Sequence, residues 1–245
     1  MKNQLLQLHR DNAQRPRAPI NLARNEAGAT LYIYDVIDPY WGVSAKDVIA
    51  ALAAINGTPD LHMHINSPGG DVFESRAIMA ALKRYEGKVI AYVDGLVASA
   101  ATSIALAADE VVISQGAFFM IHNASSLVWG DKNAMRETAD LLEKVEGAIV
   151  SDYTGKTGQT EQQVIDWMNA ETWFSADEAI ANGFCDRLAD TPKTSNASNA
   201  WNLAAFANAP QSLRKPTEPD PAPSPAPQPS MTRANANRLA LVNSL

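Results

Sequence analysis

The segment from Lys88 to Ala108 constrains the fold more than any other. Lys88-Val-Ile-Ala-Tyr-Val-Asp94 is rich in β-branched and aromatic residues and is predicted to form a buried strand. Gly95 is expected to end it. From Ser99 onward the residues are small and helix-favouring: Ala-Ala-Thr-Ser-Ile-Ala-Leu-Ala-Ala. Ser99 therefore stands where a strand turns into a helix. The first N–H groups of a helix lack an intrahelical acceptor and can hold an anion. A hydroxyl beside free amide donors is the arrangement that acyl transfer needs. A serine there is also a common helix N-cap, and Ser99 taken alone fits that role as well.

Two further features bear on the choice. The chain has four histidines: His9, His62, His64 and His122. His122 follows the apolar run Ala117–Ile121 and so lies at a strand end, where it could serve as the base that a serine nucleophile requires. His62 and His64 lie on an earlier strand, and His9 lies in a polar arm. Asn66-Ser-Pro-Gly-Gly70 reads as a strand end whose glycines let backbone approach a ligand closely. The rival serines are Ser67 in that turn, Ser103 one helical turn beyond Ser99, and Ser114.

Ile65-Asn-Ser-Pro-Gly-Gly70, Ala98-Ser-Ala100, Met120-Ile-His122, Phe174-Ser-Ala-Asp-Glu-Ala179 and Gly183-Phe-Cys-Asp186 occur in this order. Together they resemble the ClpP family of serine peptidases, and they look closest to the ClpP-related head maturation proteases of tailed phages and prophages. The resemblance spans residues 29–190. It implies an α/β fold, a ClpP/crotonase-like spiral of strand-strand-helix units with a projecting long helix. It implies Ser99 as nucleophile, His122 as base, and the backbone N–H groups of Gly70 and Ala100 as the oxyanion hole. The acid, which orients the base, is usually an aspartate before the Phe-Ser-Ala segment. The matching position here is Glu171, with Asp166 and Asp177 as nearby competitors.

Along the chain, strands are expected at 29–38, 61–65, 89–93, 111–114, 117–121 and 184–188, and helices at 44–55, 72–85, 99–108 and 133–153. This alternation reads as α/β. Ser175 and Glu178 make a capping box. Residues 1–28 read as a polar arm and 29–190 as the peptidase domain. Eight prolines from Pro210 to Pro229 make 191–230 a proline-rich disordered linker dispensable for activity, and 231–245 a short end segment.

The net charge is −7. The segment after 190 holds more basic than acidic residues, so the acidic excess belongs to the body, which argues against nucleic acid as partner. The single Cys185 excludes an internal disulfide and fits a reducing compartment. No Cys/His cluster has metal-ligand spacing, and neither metal nor cofactor is expected. No segment reads as a signal peptide or a membrane span.

The expected function is an ATP-independent serine endopeptidase that processes capsid or scaffold protein during head maturation. It would assemble as a homo-oligomeric ring and work in the host cytoplasm and procapsid. In ATPase-served ClpP, aromatic residues on the strand before the Gly-Gly motif help to dock the unfoldase. Here that strand carries His62 and His64, so no ATPase partner is expected. The alternatives are a catalytically silent ring-forming structural protein and a crotonase-like acyl-CoA enzyme. A Ser–Lys peptidase is a weaker third, since it leaves His122 unexplained.

Overall fold

The structure, a computed structural model, describes residues 20–25, 28–190, 201, 203 and 206–213. The strands are β1 (Asn21–Asn25), β2 (Gly28–Ile33), β3 (Leu61–Ser67), β4 (Val89–Ala98), β5 (Glu110–Ile113), β6 (Phe118–Ile121), β7 (Thr172–Ser175) and β8 (Arg187–Leu188). The helices are α1 (Ala45–Ala53), α2 (Val72–Leu82), α3 (Ala100–Ala105), α4 (Lys132–Thr157), α5 (Glu161–Asn169) and α6 (Ala176–Ala181). Side-chain caps start most of them: Ser44, Asp71, Asp131, Thr160 and Ser175 each accept an N–H of the first turn. Ser175 and Glu178 form the expected capping box.

The sheet runs β1-β2-β3-β4-β5-β8, with β6 pairing β4 and β7. From β2 to β8 this path is parallel, as strand–helix alternation dictates; β1 on β2 and β7 on β6 are antiparallel. The fold is the α/β architecture expected. The N-terminal residues Asn21–Asn25, read as part of a polar arm, instead form an edge strand on β2.

β4 does not stop at Gly95. Its first part pairs with β5 through Val93, and its last part, Leu96–Ala98, pairs with β6. Gly95 sits where the neighbour changes and where the register with β3 shifts between Ile65 and Ser67. A glycine inside a strand marks such an irregularity as readily as an end. One strand thus carries two sheet segments, and the second leads into Ser99.

The main core lies between the sheet and its helices. Ile33, Met63, Ile65, Val93, Val97, Ile104, Phe119 and Phe184 are among its fully buried members. A second apolar cluster lies on the other face of the β4–β6–β7 corner. Leu96, Ala98 and Met120, alternating with core-facing Val97, Phe119 and Ile121, pack there against Trp201, Leu203, Phe206 and Ala209. Residues 201–213 therefore include an integral part of the domain, not linker. The physical reason is local: this stretch has large apolar side chains ahead of the proline-dense part, and the sheet face beside the site would otherwise be bare. The remainder of the expected linker, most of the arm and the end segment lie outside the described residues.

Candidate functional site

β4 ends at Ala98, α3 begins at Ala100, and Ser99 joins them with φ 54° and ψ −128°. Among the described residues two non-glycine positions have positive φ, Ser99 and Glu171 (φ 47°). Such a backbone costs on the order of 1–3 kcal/mol and persists only where its surroundings hold it. Here they do. The Ser99 N–H donates to Met120 O at 2.9 Å, and Ser99 O accepts from the Thr102 N–H and hydroxyl at 2.9 and 2.5 Å. Thr102 Oγ1 in turn shares a hydrogen bond of 2.6 Å with Tyr153 Oη of α4. The Ser75 hydroxyl donates to Ala100 O at 2.6 Å.

The Ser99 hydroxyl caps nothing in α3. Its Oγ lies 2.7 Å from His122 Nε2. The strand register explains the meeting. Ala98 pairs with Met120 in parallel, and His122 continues β6 just past that point. The rival serines are placed otherwise: Ser67 is fully buried and its hydroxyl accepts the Gly69 N–H, and Ser103 is buried in α3.

Antiparallel pairing positions Glu171. Ile121 lies opposite Thr172, so the next residue outward on each strand brings Glu171 across from His122. The left-handed Glu171 makes the turn from α5 into β7. Its carboxylate accepts from Trp173 Nε1 at 3.1 Å, the Ala207 N–H at 2.9 Å and the Asn208 N–H at 2.7 Å. Asp166 instead accepts from Gln162 one turn away on α5, and Asp177 is exposed on α6.

The Gly-Gly turn lies against the nucleophile. A Cβ on Gly69 would come within 2.6 Å of Ala98 O and 2.8 Å of Ser99 Cβ, and its φ of 90° suits glycine alone. The Ile37 N–H donates to Gly69 O and the Asp71 N–H to Ile37 O, which leaves the Gly70 N–H directed away from Ile37. The Ala100 N–H is the first of its helix. Gly69 thus lies against the start of the helix at Ala100 N, and the next residue, Gly70, keeps its amide clear of the pairing with Ile37.

A serine on a strained strand-to-helix turn, a histidine at hydrogen-bond distance and a glycine turn beside both form a constellation for acyl transfer. The model of the Clp protease family matches residues 7–192. The chain belongs to the Clp protease family. That is a family of serine peptidases, and its membership sets the acyl-CoA alternative aside.

Among its relatives is the ATP-dependent Clp protease proteolytic subunit 3 of Rhodococcus jostii (strain RHA1), 25% identical over 169 residues, covering 65% of this chain and 80% of that protein. The ATP-dependent Clp protease proteolytic subunit of Streptococcus suis (strain 98HAH33) is 28% identical over 156 residues, 61% of this chain and 80% of that protein. In fold, the chain is similar to a point mutant of ClpP1 from Listeria monocytogenes, with a TM-score of 0.60 at 24% identity, covering 66% of this chain and 91% of that one.

Burial pulls the imidazole of His122 below its ordinary pKa of 6.5, and the negative charge of Glu171 opposes this. His122 is therefore mainly neutral at pH 7, the state in which an imidazole can accept a proton. For a Clp-type peptidase the pH profile of kcat/KM reports this group in the free enzyme. The acid limb is expected to have its midpoint below pH 6.5, with activity lost as His122 protonates. Peptide hydrolysis measured from about pH 4.5 to 8.5 checks this, and a midpoint above about 7 would contradict it. The buried Cys185 thiol, pushed up to about 12 chiefly by desolvation, is no competing nucleophile at neutral pH.

The sequence reading missed Trp173, Ala207 and Asn208 as partners of the Glu171 carboxylate, and Thr102 and Tyr153 as supports of the turn. The tail had one visible signal, the spacing of three large apolar residues, Trp201, Leu203 and Phe206, among alanines and asparagines. Nothing in the sequence links it to Glu171.

Proposed function

We propose that this chain is an ATP-independent serine endopeptidase that processes capsid or scaffold protein during phage head maturation, with Ser99 as nucleophile, His122 as general base, Glu171 as the acid and the Gly70 and Ala100 N–H groups as oxyanion donors. The observation that carries the peptidase reading is the 2.7 Å contact between Ser99 Oγ and His122 Nε2 on a strained turn. In the first step the hydroxyl attacks the scissile carbonyl while His122 Nε2 takes its proton. The developing oxyanion is held by the two amides. His122 then gives the proton to the leaving amine, and water repeats the sequence on the acyl-enzyme. Glu171, across the strand pair, stabilises the imidazolium.

The head-maturation reading rests on the sequence resemblance and on two surface features. The β3 face that meets β4 is polar where an apolar dock would be needed: His64 Nδ1 contacts Asp94 Oδ2 at 2.7 Å, Tyr34 donates to the same oxygen, and His62 Nδ1 meets Tyr92 Oη at 3.2 Å. Such a face favours action without an unfoldase. The front half of α4 has no buried residue, and Met135 and Leu141 stand half exposed on it. A helix of this kind is a surface for ring assembly, and the host cytoplasm and procapsid are where such an enzyme would meet its substrate.

The test is to co-express the full chain with phage capsid and scaffold proteins, and to follow their cleavage without added ATPase while measuring oligomer mass by light scattering. Specific cleavage by a multi-subunit species is expected. A monomer, or cleavage that appears only with a host unfoldase and ATP, would overturn the reading.

A further inference from the structure

The tail segment that covers the corner of β4, β6 and β7 touches two candidate catalytic groups at once. The Phe206 ring meets the His122 imidazole edge-on, with centroids 5.5 Å apart, and meets Trp173 the same way at 5.6 Å. The two following residues give their backbone N–H groups to opposite oxygens of Glu171, Ala207 to Oε2 and Asn208 to Oε1. The Asn208 side chain ties this turn to Ala170 O, the residue before the acid, at 2.8 Å. The Trp173 indole completes three donors around one carboxylate.

We propose that residues 206–208, with Trp173, are positioning residues of the catalytic centre: they hold the Glu171 carboxylate in place and brace the imidazole edge of His122. The proposal rests on the serine-peptidase reading above. Three observations carry it. The donors converge on the one carboxylate whose charge acts on His122. Glu171 sits in a left-handed backbone conformation that aims its side chain at the tail, and three charge-assisted hydrogen bonds occupy it there. The segment is packed into the fold, with Trp201, Leu203, Phe206 and Ala209 all buried. A releasable cover would be expected to rest on the surface with polar, replaceable contacts. This one inserts aromatic side chains beneath the site and leaves the Ser99–His122 hydrogen bond in place. The domain thus builds part of its acid site from beyond the region that the family match covers, residues 7–192.

The elements around His122 bring Ser99 from the β4–α3 turn, Glu171 from the start of β7 and Phe206 from the tail, and Glu171 supplies the charge among them. If the tail lets the carboxylate go, the imidazolium loses its counter-charge. The maximal rate then falls, and the His122 titration moves further down. A tail that merely covered the imidazole would act in the opposite direction: its loss would relieve burial and move the titration up.

The experiment measures the rate at which a fluorophosphonate probe labels the full-length chain across the acid limb and up to mildly alkaline pH. It compares wild type with Phe206→Ala, Asn208→Pro and Trp173→Phe, with Gln211→Ala on the exposed side of the same segment as control, and circular dichroism reports folding. Asn208→Pro deletes one N–H donor to Glu171 and the side-chain bond to Ala170 O; Trp173→Phe deletes the indole N–H and keeps a six-membered ring near Phe206. Phe206→Ala and Asn208→Pro are expected to slow labelling roughly 10- to 100-fold, the scale of a small misplacement in an active site; Asn208→Pro should also shift the acid limb to lower pH, whereas Phe206→Ala, which uncovers the imidazole as well, is read by its rate alone. Trp173→Phe, the variant least able to disturb folding, should move both in the same direction by less. Unchanged rates and limb in folded Trp173→Phe and Asn208→Pro would overturn the proposal. So would faster labelling with a limb shifted upward, which would mean that the tail withholds the acid. If wild type itself is not labelled, the peptidase reading fails, a result distinct from either.

Discussion

Ser99→Ala is expected to lower peptide hydrolysis by about 10⁵–10⁶-fold, to the level that binding and oxyanion donors alone sustain. The reason is positional. The Ser99 hydroxyl makes no bond to its helix, and its partner is His122 Nε2 at 2.7 Å. Removing it deletes the proposed attacking atom and leaves intact the backbone bonds to Met120 and Thr102 that hold the turn. The variant should keep its circular dichroism spectrum and melting temperature, and should lose fluorophosphonate labelling entirely. Peptide mapping of the wild-type adduct should place it on Ser99. Wild-type turnover in Ser99→Ala would reduce this serine to a turn residue and remove the basis of the proposed mechanism.

Glu171→Gln should cost roughly 10³–10⁴-fold in kcat with the fold retained, the scale seen when an orienting acid becomes an amide. Two effects act together. The amide cannot carry the negative charge that opposes the burial-driven fall in His122 pKa. It also turns an NH₂ group toward donors, because the Trp173, Ala207 and Asn208 N–H groups all aim at carboxylate oxygens. Asp166→Asn should change the rate little, since that side chain bonds Gln162 on its own helix. The comparison is a steady-state assay of both variants on one fluorogenic peptide. If Asp166→Asn were the more damaging, the acid would have to be reassigned.

Much of this was legible from local pattern. The apolar run before Gly95 and the small residues after Ser99 carry opposite preferences, so a strand-to-helix turn was readable there. Hydrophobic spacing marked α2 and α4, and Ser175 with Glu178 marked the start of α6. What could not be read was any feature that depends on which strand lies beside which. Glycine at 95 looks the same whether a strand ends or changes neighbours. The pairing of Leu96–Ala98 with β6 is a long-range choice, and it brings His122 to Ser99.

The candidate acid shows the same division. It was readable only by matching a family position, and Asp166 and Asp177 stood close enough in sequence to compete. The antiparallel register of β6 and β7 separates them, because it sets residue 171 across from residue 122. The first part of the tail differs from its reading as linker. Prolines from 210 onward dominate its composition, and composition averages away three large apolar side chains that pack on a bare sheet face.

The sequence by itself determined the α/β class, the place of Ser99 on its turn, and the residue types available for base and acid. These are properties of short segments, governed by propensity and periodicity. Tertiary structure alone decided that β4 runs on past Gly95, that Glu171 lies across from His122, and that residues 206–208 close around its carboxylate. Those outcomes depend on strand register and on burial against distant residues, and a register leaves no mark on either strand until the two are paired.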